Sequence, residues 1–414
     1  MDPNDTRPTT QRYDSARTGA PIGTAASLWL ATQMAAALLA ASPAAAAPPY
    51  PLADQPVSAK LSMPANVLLD LSVEWPTGNV QAHNDEIDGT GCPGRDSGFS
   101  VCYFAPATRA ARVNAANAAN PLFVPKVSLP YIGYFDPFKC YQYDASAGYF
   151  VPVGPTAGFS AAHHYSAQPA GSTATCSGNW SGNFLNWSTM QTIDMFRWAM
   201  TGGDRSIDTP TLTVLQKARH DGSGGTSQFP AKRIGVVFSD VPVTSPASVS
   251  PYGSASLYVR VNGQNTTMQV SASSSFASVD SFDVSVKVCD PAQPETITPC
   301  TAYGSSLKPT GLVQDNAEQV RFGAFGYLLD NDALRDGGVL RSRLKFVGPQ
   351  RPTLSSSGTT VNAAAEWSAA DGTFVQNPDP ADAAATSALI PATPISRSGL
   401  TQYLNKFGRA NGYK

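Results

Sequence analysis

Apolar side chains recur every three or four residues at Phe184, Trp187, Met190, Ile193, Phe196 and Met200. That spacing lays one apolar stripe along a helix, so a single amphipathic helix is predicted, with Trp187 on its buried face. Asn183 or Ser181 can cap its start by accepting a bond from an early backbone N–H, and Gly202-Gly203 can take the left-handed turn that ends it. A second helix is expected over residues 210–218. Elsewhere the apolar positions alternate or form short runs, which predicts strands. They fall at 66–73, at 233–238, at 284–288, where Val284, Val286 and Val288 alternate with Ser285 and Lys287, and within 320–347. Residues 257–261 and 267–270 flank Asn262-Gly263, a tight-turn signal for a hairpin, although the longer gap allows a wider loop. Residues 78–120 are polar and rich in Gly, Ala and Asn and read as loop, whereas 350–400 look like a flexible Pro- and Ala-rich connection. There is no internal repeat. The fold class expected is mixed α/β, strand-rich, with long loops.

The first residues follow a different pattern. An apolar run over 25–41 contains Leu28, Trp29, Leu30, Leu38 and Leu39, and four alanines at 44–47 precede Pro48-Pro49. This is the arrangement of a secretory signal peptide over 1–47, with cleavage near Ala46 or Ala47. A retained anchor is the rival reading, but the run is shorter than the roughly twenty residues a spanning helix needs. Arg7, Arg12 and Arg17 are balanced by three acids, so removing this segment leaves the net charge at -2. A near-neutral chain with only 14% charged residues argues against nucleic-acid binding. The organisation expected is a main domain over 48–349 followed by a linker over 350–414.

All six cysteines, Cys92, Cys102, Cys140, Cys176, Cys289 and Cys300, lie beyond the expected cleavage point. An even number in an exported chain points to disulfides. Many pairings are possible; sequence neighbours suggest Cys92 with Cys102, Cys140 with Cys176, and Cys289 with Cys300. Metal ligation is the alternative, and no CxxC or CxH spacing supports it. The histidines are His83, His163, His164 and His220, and no GxSxG elbow, HExxH helix or phosphate-binding loop surrounds them. Asn84-Asp85-Glu86-Ile87-Asp88 opens like a calcium loop, but Arg95 stands where its closing carboxylate is needed. Asp330-Asn331-Asp332 with Asp336 lacks correctly placed glycines; both stretches read as solvated turns. Asn179, Asn186 and Asn265 begin Asn-x-Ser/Thr triplets, the first two better explained by packing or capping. No catalytic, cofactor-binding or metal-binding residue is assigned, and no enzymatic activity is expected.

The order of residues is more telling than their periodicity. Cys176-Ser-Gly-Asn-Trp180-Ser-Gly-Asn-Phe184-Leu-Asn-Trp187, followed by Gly202-Gly203-Asp204-Arg205-Ser206-Ile207-Asp208-Thr209, resembles the N-terminal region of PilY-type proteins. These are the tip-associated adhesin and assembly factors of bacterial type IV pili. Further segments match in the expected order, from Leu71-Ser72-Val73-Glu74-Trp75 and Gly133-Tyr134-Phe135-Asp136-Pro137-Phe138-Lys139-Cys140-Tyr141 to Leu307-Lys308-Pro309-Thr310-Gly311-Leu312. The series continues through Val320-Arg321-Phe322-Gly323-Ala324-Phe325, Arg335-Asp336-Gly337-Gly338 and Tyr403-Leu404-Asn405-Lys406-Phe407-Gly408.

The resemblance implies a degenerate von Willebrand A-like region with β-rich insertions. The ion-holding Asp-x-Ser-x-Ser of that domain is only half copied by Asp70-Leu71-Ser72-Val73-Glu74, and in a second register its aspartate falls on Ser72. A metal-free version is expected. Relatives continue into a β-propeller carrying calcium sites; the chain stops at Lys414, which implies a truncated or split form holding no cofactor. The role implied is priming of pilus assembly with minor pilins, presentation at the pilus tip and contact with host-cell or abiotic surfaces. The location implied is the periplasm, outer-membrane surface or pilus tip. The rival readings are a secreted carbohydrate- or surface-binding module, using Trp75, Tyr131, Tyr134 and Tyr141 as stacking faces, and a secreted hydrolase.

Overall fold

The apolar stripe is divided between two helices rather than carried by one. In the computed structural model, α1 (Gly182–Thr189) ends at Met190, and α2 (Thr192–Thr201) restarts after Gln191 in extended backbone. The chain 80–82 crosses this break. Ala82 N donates to Met190 O at 2.8 Å and Thr192 N donates to Val80 O at 3.0 Å, so the backbone groups freed by the interruption are satisfied by a remote segment. Ser181 caps α1 by accepting from Phe184 N, and Gly202 closes α2 in the left-handed conformation at φ 80°.

The division has a purpose in packing. Phe184, Trp187 and Met190 lie in one hydrophobic core with Tyr131, Phe135, Phe150, Trp180 and Val286. Ile193, with half-buried Phe196 and Met200, faces a second core containing Phe322, Val347, Trp367, Leu400 and Tyr403. Trp187 is fully buried, as expected.

The residues described are 64–71, 80–83, 95–96, 99–100, 130–161, 175–218, 229, 231–235, 244–261, 266–330, 335–353, 358–375, 378–379 and 399–406. The expected signal peptide, Ser72, Glu74, Trp75, Asn84 to Asp88, Cys92, Cys102, His163, His164 and His220 lie outside them.

Three main sheets are described. The first core is built on a six-stranded sheet in the order Trp180–Ser181, Lys139–Asp144, Tyr149–Pro155, Ser285–Val288, Leu212–Gln216, Arg205–Thr209. A second six-stranded sheet runs Asp280–Asp283, Thr267–Ser271, Leu257–Val261, Ala231–Ile234, Phe99–Ser100, Arg95–Asp96. The predicted hairpin is present, with Tyr258 opposite Ser271 and Val261 opposite Met268. The third sheet pairs Ala65–Leu71 in parallel with Val320–Asp330, and the latter antiparallel with Arg335–Lys345. Two further two-stranded pairs, Cys300–Tyr303 with Ser306–Pro309 and Gln350–Pro352 with Thr359–Val361, and the short helices α3 (Pro246–Val249), α4 (Leu312–Asp315) and α5 (Leu400–Lys406) complete the described elements.

Two expectations are corrected. Residues 210–218 contain the strand Leu212–Gln216, which pairs with Arg205–Thr209 on one side and Ser285–Val288 on the other. Thr211, Thr213 and Val214 are β-branched, and burial of Thr213, Val214 and Leu215 between two partners outweighs the weak helical pattern. The second concerns 350–400. Trp367 and Glu366 are buried, Trp367 pairs with Phe374, and α5 inserts Leu400, Tyr403 and Leu404 into the second core. The few large side chains of the described residues 358–375 and 399–400 supply this packing; 380–398 lie outside the described residues.

Candidate functional site

The motif residues assemble into buried polar knots. In the first, Asn186 holds the segment Tyr131–Phe135. Its Nδ2 donates to Tyr131 O at 2.8 Å and Phe135 O at 2.7 Å, while its Oδ1 accepts from Phe135 N at 3.1 Å. Asn183 does not cap α1; its Oδ1 accepts from Tyr131 N at 2.6 Å. A Cβ on Gly133 would stand 2.1 Å from Asn186 Oδ1, so the glycine is required by close approach. Of the Asn-x-Ser/Thr positions, Asn186 is fully buried and serves packing.

The second knot ties together three segments far apart in sequence. Arg205 and Lys308 both pair with Asp208, at 3.1 and 2.9 Å. Arg205 also donates to Pro309 O at 2.7 Å and Gly372 O at 2.9 Å, and its guanidinium lies 3.9 Å from the Phe374 ring centroid. Asp208 accepts from Phe374 N at 2.8 Å, and Lys308 donates to Thr213 Oγ1 at 2.9 Å. The Gly-Gly-Asp-Arg-Ser-Ile-Asp and Leu-Lys-Pro-Thr motifs are thus two halves of one contact.

The third knot lies beside the disulfides. Cys140 is bonded to Cys176 and Cys289 to Cys300, as expected, while Cys92 and Cys102 lie outside the described residues. Lys139 donates to Glu295 at 2.9 Å and lies 3.9 Å from Asp136. Asp136 accepts from Phe138 N and Thr296 N, and Glu295 from Cys289 N. Two buried carboxylates thus share one ammonium. Burial, reinforced by Asp136 and only partly opposed by Lys139, pushes Glu295 up to about 7.

This has a defined consequence for stability. Folded Glu295 holds its proton more tightly than the unfolded chain, so its contribution is complete below pH 4.5 and is lost as pH rises towards 7. Thermal melting should show the protein less stable at pH 7.5 than at pH 5 by about 1–3 kcal/mol, and Glu295→Gln should flatten that slope. An unchanged slope in the variant would refute the assignment. Lys217 acts oppositely and at higher pH: desolvation by burial lowers it to about 8, so the cost of burying its charge is relieved between pH 8 and 10.5. Lys217 donates to Gln191 Oε1 at 2.8 Å, and Asp194 accepts from Ala218 N and from Gln191 N at the start of α2.

Among the described residues no group of His, Cys, Asp and Glu side chains could hold a metal ion. Asp70 is exposed on its strand, apart from other carboxylates in any such group. His83, the one described histidine, has Nε2 2.6 Å from Ile132 O and its ring edge-on to Tyr131. Tyr131, Tyr134 and Tyr141, offered as stacking faces for sugars, are fully buried; their hydroxyls and rings serve the core. The pattern Gly-Tyr-Phe-Asp-Pro-Phe reads equally well as surface or core, and the six-stranded sheet decides for core.

What the sequence did not single out is an open cleft of about 610 Å³ where the third sheet meets the hairpin at 350–361. Arg321, Arg343, Lys345 and Arg351 line it, with Leu344 and Phe346. Asp379 pairs with Arg343 at 2.7 Å and with Lys345 at 3.0 Å, and Glu366 lies 3.6 Å from Lys345. Arg343 and Lys345 share the strand Arg335–Lys345, and Arg321 and Arg351 come from two other strands, so the cluster forms only when the three meet.

Residues 125–281, which hold five of the six strands of the first sheet, the Cys140–Cys176 disulfide, α1, α2 and the hairpin, match the family model of the PilY1 homolog small alpha/beta domain. Two proteins of Xylella fastidiosa (strain Temecula1), each named type IV pilus biogenesis factor PilY1 homolog, are similar to the chain. One is 36% identical over 320 residues, covering 72% of this chain and 25% of that protein. The other is 27% identical over 207 residues, covering 41% of this chain and 14% of that protein. The chain therefore belongs to the PilY1-type family, and spans about a quarter or less of the length of these relatives. No solved structure matches it.

Proposed function

We propose that the chain is an exported type IV pilus biogenesis factor that acts by binding and not by catalysis. The observation that carries this reading is that the stretches shared with the family fold into one another as buried knots. Asn186 holds the segment around Gly133, and Arg205 and Asp208 hold Lys308 and Phe374. What such a protein contributes is a rigid surface for partners. Its partners are the minor pilins, and its place is the pilus tip or outer-membrane surface, where it meets host-cell or abiotic surfaces. Residues 1–47 act as the signal peptide, and 48–349 together with the packed stretches 358–375 and 399–406 as the family's N-terminal domain; the calcium site would belong to the family's propeller. We also read the Ala65–Leu71 strand, paired in parallel with Val320–Asp330, as the remnant of a von Willebrand A-like sheet.

The test is complementation. In a host lacking its own PilY-type protein, co-expression with the matching minor pilins should restore surface pili, counted by electron microscopy. If the chain is exported and folded yet never restores pili, the reading is wrong.

A further inference from the structure

Four cations converge on the cleft beside the third sheet, and like charges held together cost energy unless something offsets them. The described residues offset only part. Asp379 is shared by Arg343 and Lys345, and Glu366 reaches Lys345 only at 3.6 Å while accepting Leu400 N and Thr401 N at the start of α5. Arg321 and Arg351 meet no carboxylate among the described residues, and the buried Nε of Arg321 has no acceptor there. Among the described residues, Arg321 and Arg351 thus bring two positive charges without a paired carboxylate to one concave site.

The shape and chemistry narrow the occupant. The volume lies in the range of small-molecule sites, and Leu344 and Phe346 give the wall an apolar part. Guanidinium groups match pairs of oxygens on phosphate or carboxylate, and a phosphomonoester brings close to two negative charges on a single group. A polymeric acid spreads one charge per unit and calls for a longer groove. We infer that this cleft binds a phosphomonoester on a small, sugar-sized body, either as a free sugar phosphate or as the phosphorylated headgroup of a glycolipid.

Calorimetric titration of the full chain with a hexose phosphate at physiological ionic strength should give saturable binding, with none for the unphosphorylated hexose. Arg351→Gln, on the exposed hairpin, should weaken it about tenfold, the equivalent of one charge-assisted bond, and Arg321→Gln should do the same. Should Arg321→Gln melt early, Arg351→Gln with an unchanged melting temperature carries the test. Vesicles of phosphatidylcholine containing a glycolipid with a monophosphorylated sugar headgroup separate the sources. Capture released by hexose phosphate supports the headgroup, and absence of capture with intact titration supports the free sugar. Capture indifferent to both variants, binding of a polyglutamate peptide in preference to hexose phosphate, or no titration at all would overturn the inference.

Discussion

Asn186→Ala should lower the stability of the protein by about 3–6 kcal/mol, among the largest effects of any single side chain in this structure. The variant removes the partner of three backbone groups, Tyr131 O, Phe135 O and Phe135 N, in a region closed to water. Each such group left unsatisfied costs about 1–3 kcal/mol, and the van der Waals contact with Gly133 is lost as well. Denaturant unfolding followed by tryptophan fluorescence measures this directly, since Trp180 and Trp187 flank the site. Asn179→Ala is the control. Its side chain only accepts an exposed bond from Gln142, and its loss should shift stability by no more than about 0.5 kcal/mol. Equal effects of the two substitutions would show that Asn186 is not the latch described.

The second large effect is expected at Asp208. Asp208→Ala leaves Arg205 and Lys308 as buried cations facing each other without their shared counterion, a change worth about 3–5 kcal/mol. Local structure should suffer first, because Phe374 N is held by Asp208 and its ring by Arg205. Limited proteolysis should therefore cut near residues 371–375 in the variant before it cuts elsewhere. Protection equal to that of the native protein would mean the knot contributes nothing to anchoring this stretch.

Much of this organisation was legible in the sequence wherever it depends on neighbours. Alternation at Val284, Val286 and Val288, the pairing of Leu257–Val261 with Thr267–Ser271, the cap at Ser181 and the stop at Gly202 are local properties, and they appear where expected. The two described disulfides join sequence neighbours and were legible for the same reason. The break between α1 and α2 was not, because Met190 and Gln191 are interrupted by contact with Val80 and Ala82, which lie about a hundred residues away. Residues 210–218 misled because their strand owes its existence to partners on both sides. Arg205, Asp208 and Lys308 were visible as motif letters, but their meeting is a tertiary event. The cationic cleft was illegible because only Arg343 and Lys345 share a strand, while Arg321 and Arg351 reach it from two other strands through tertiary packing.

The disulfides also set how far this chain can be drawn out. Cys140 and Cys176 enclose a separation of 36 residues, and Cys289 and Cys300 one of 11. At about 3.4 Å per extended residue, the two closed loops withhold roughly 150 Å of contour from any pull applied at the ends of the chain. Even with every strand peeled apart, a tethered molecule would keep the segment leading into α1 tied at Cys176 to Cys140 of the strand Lys139–Asp144. Reduction would lengthen the tether without changing its sequence, so the redox state of these four sulfur atoms sets how much of this contour the unfolded protein releases under load.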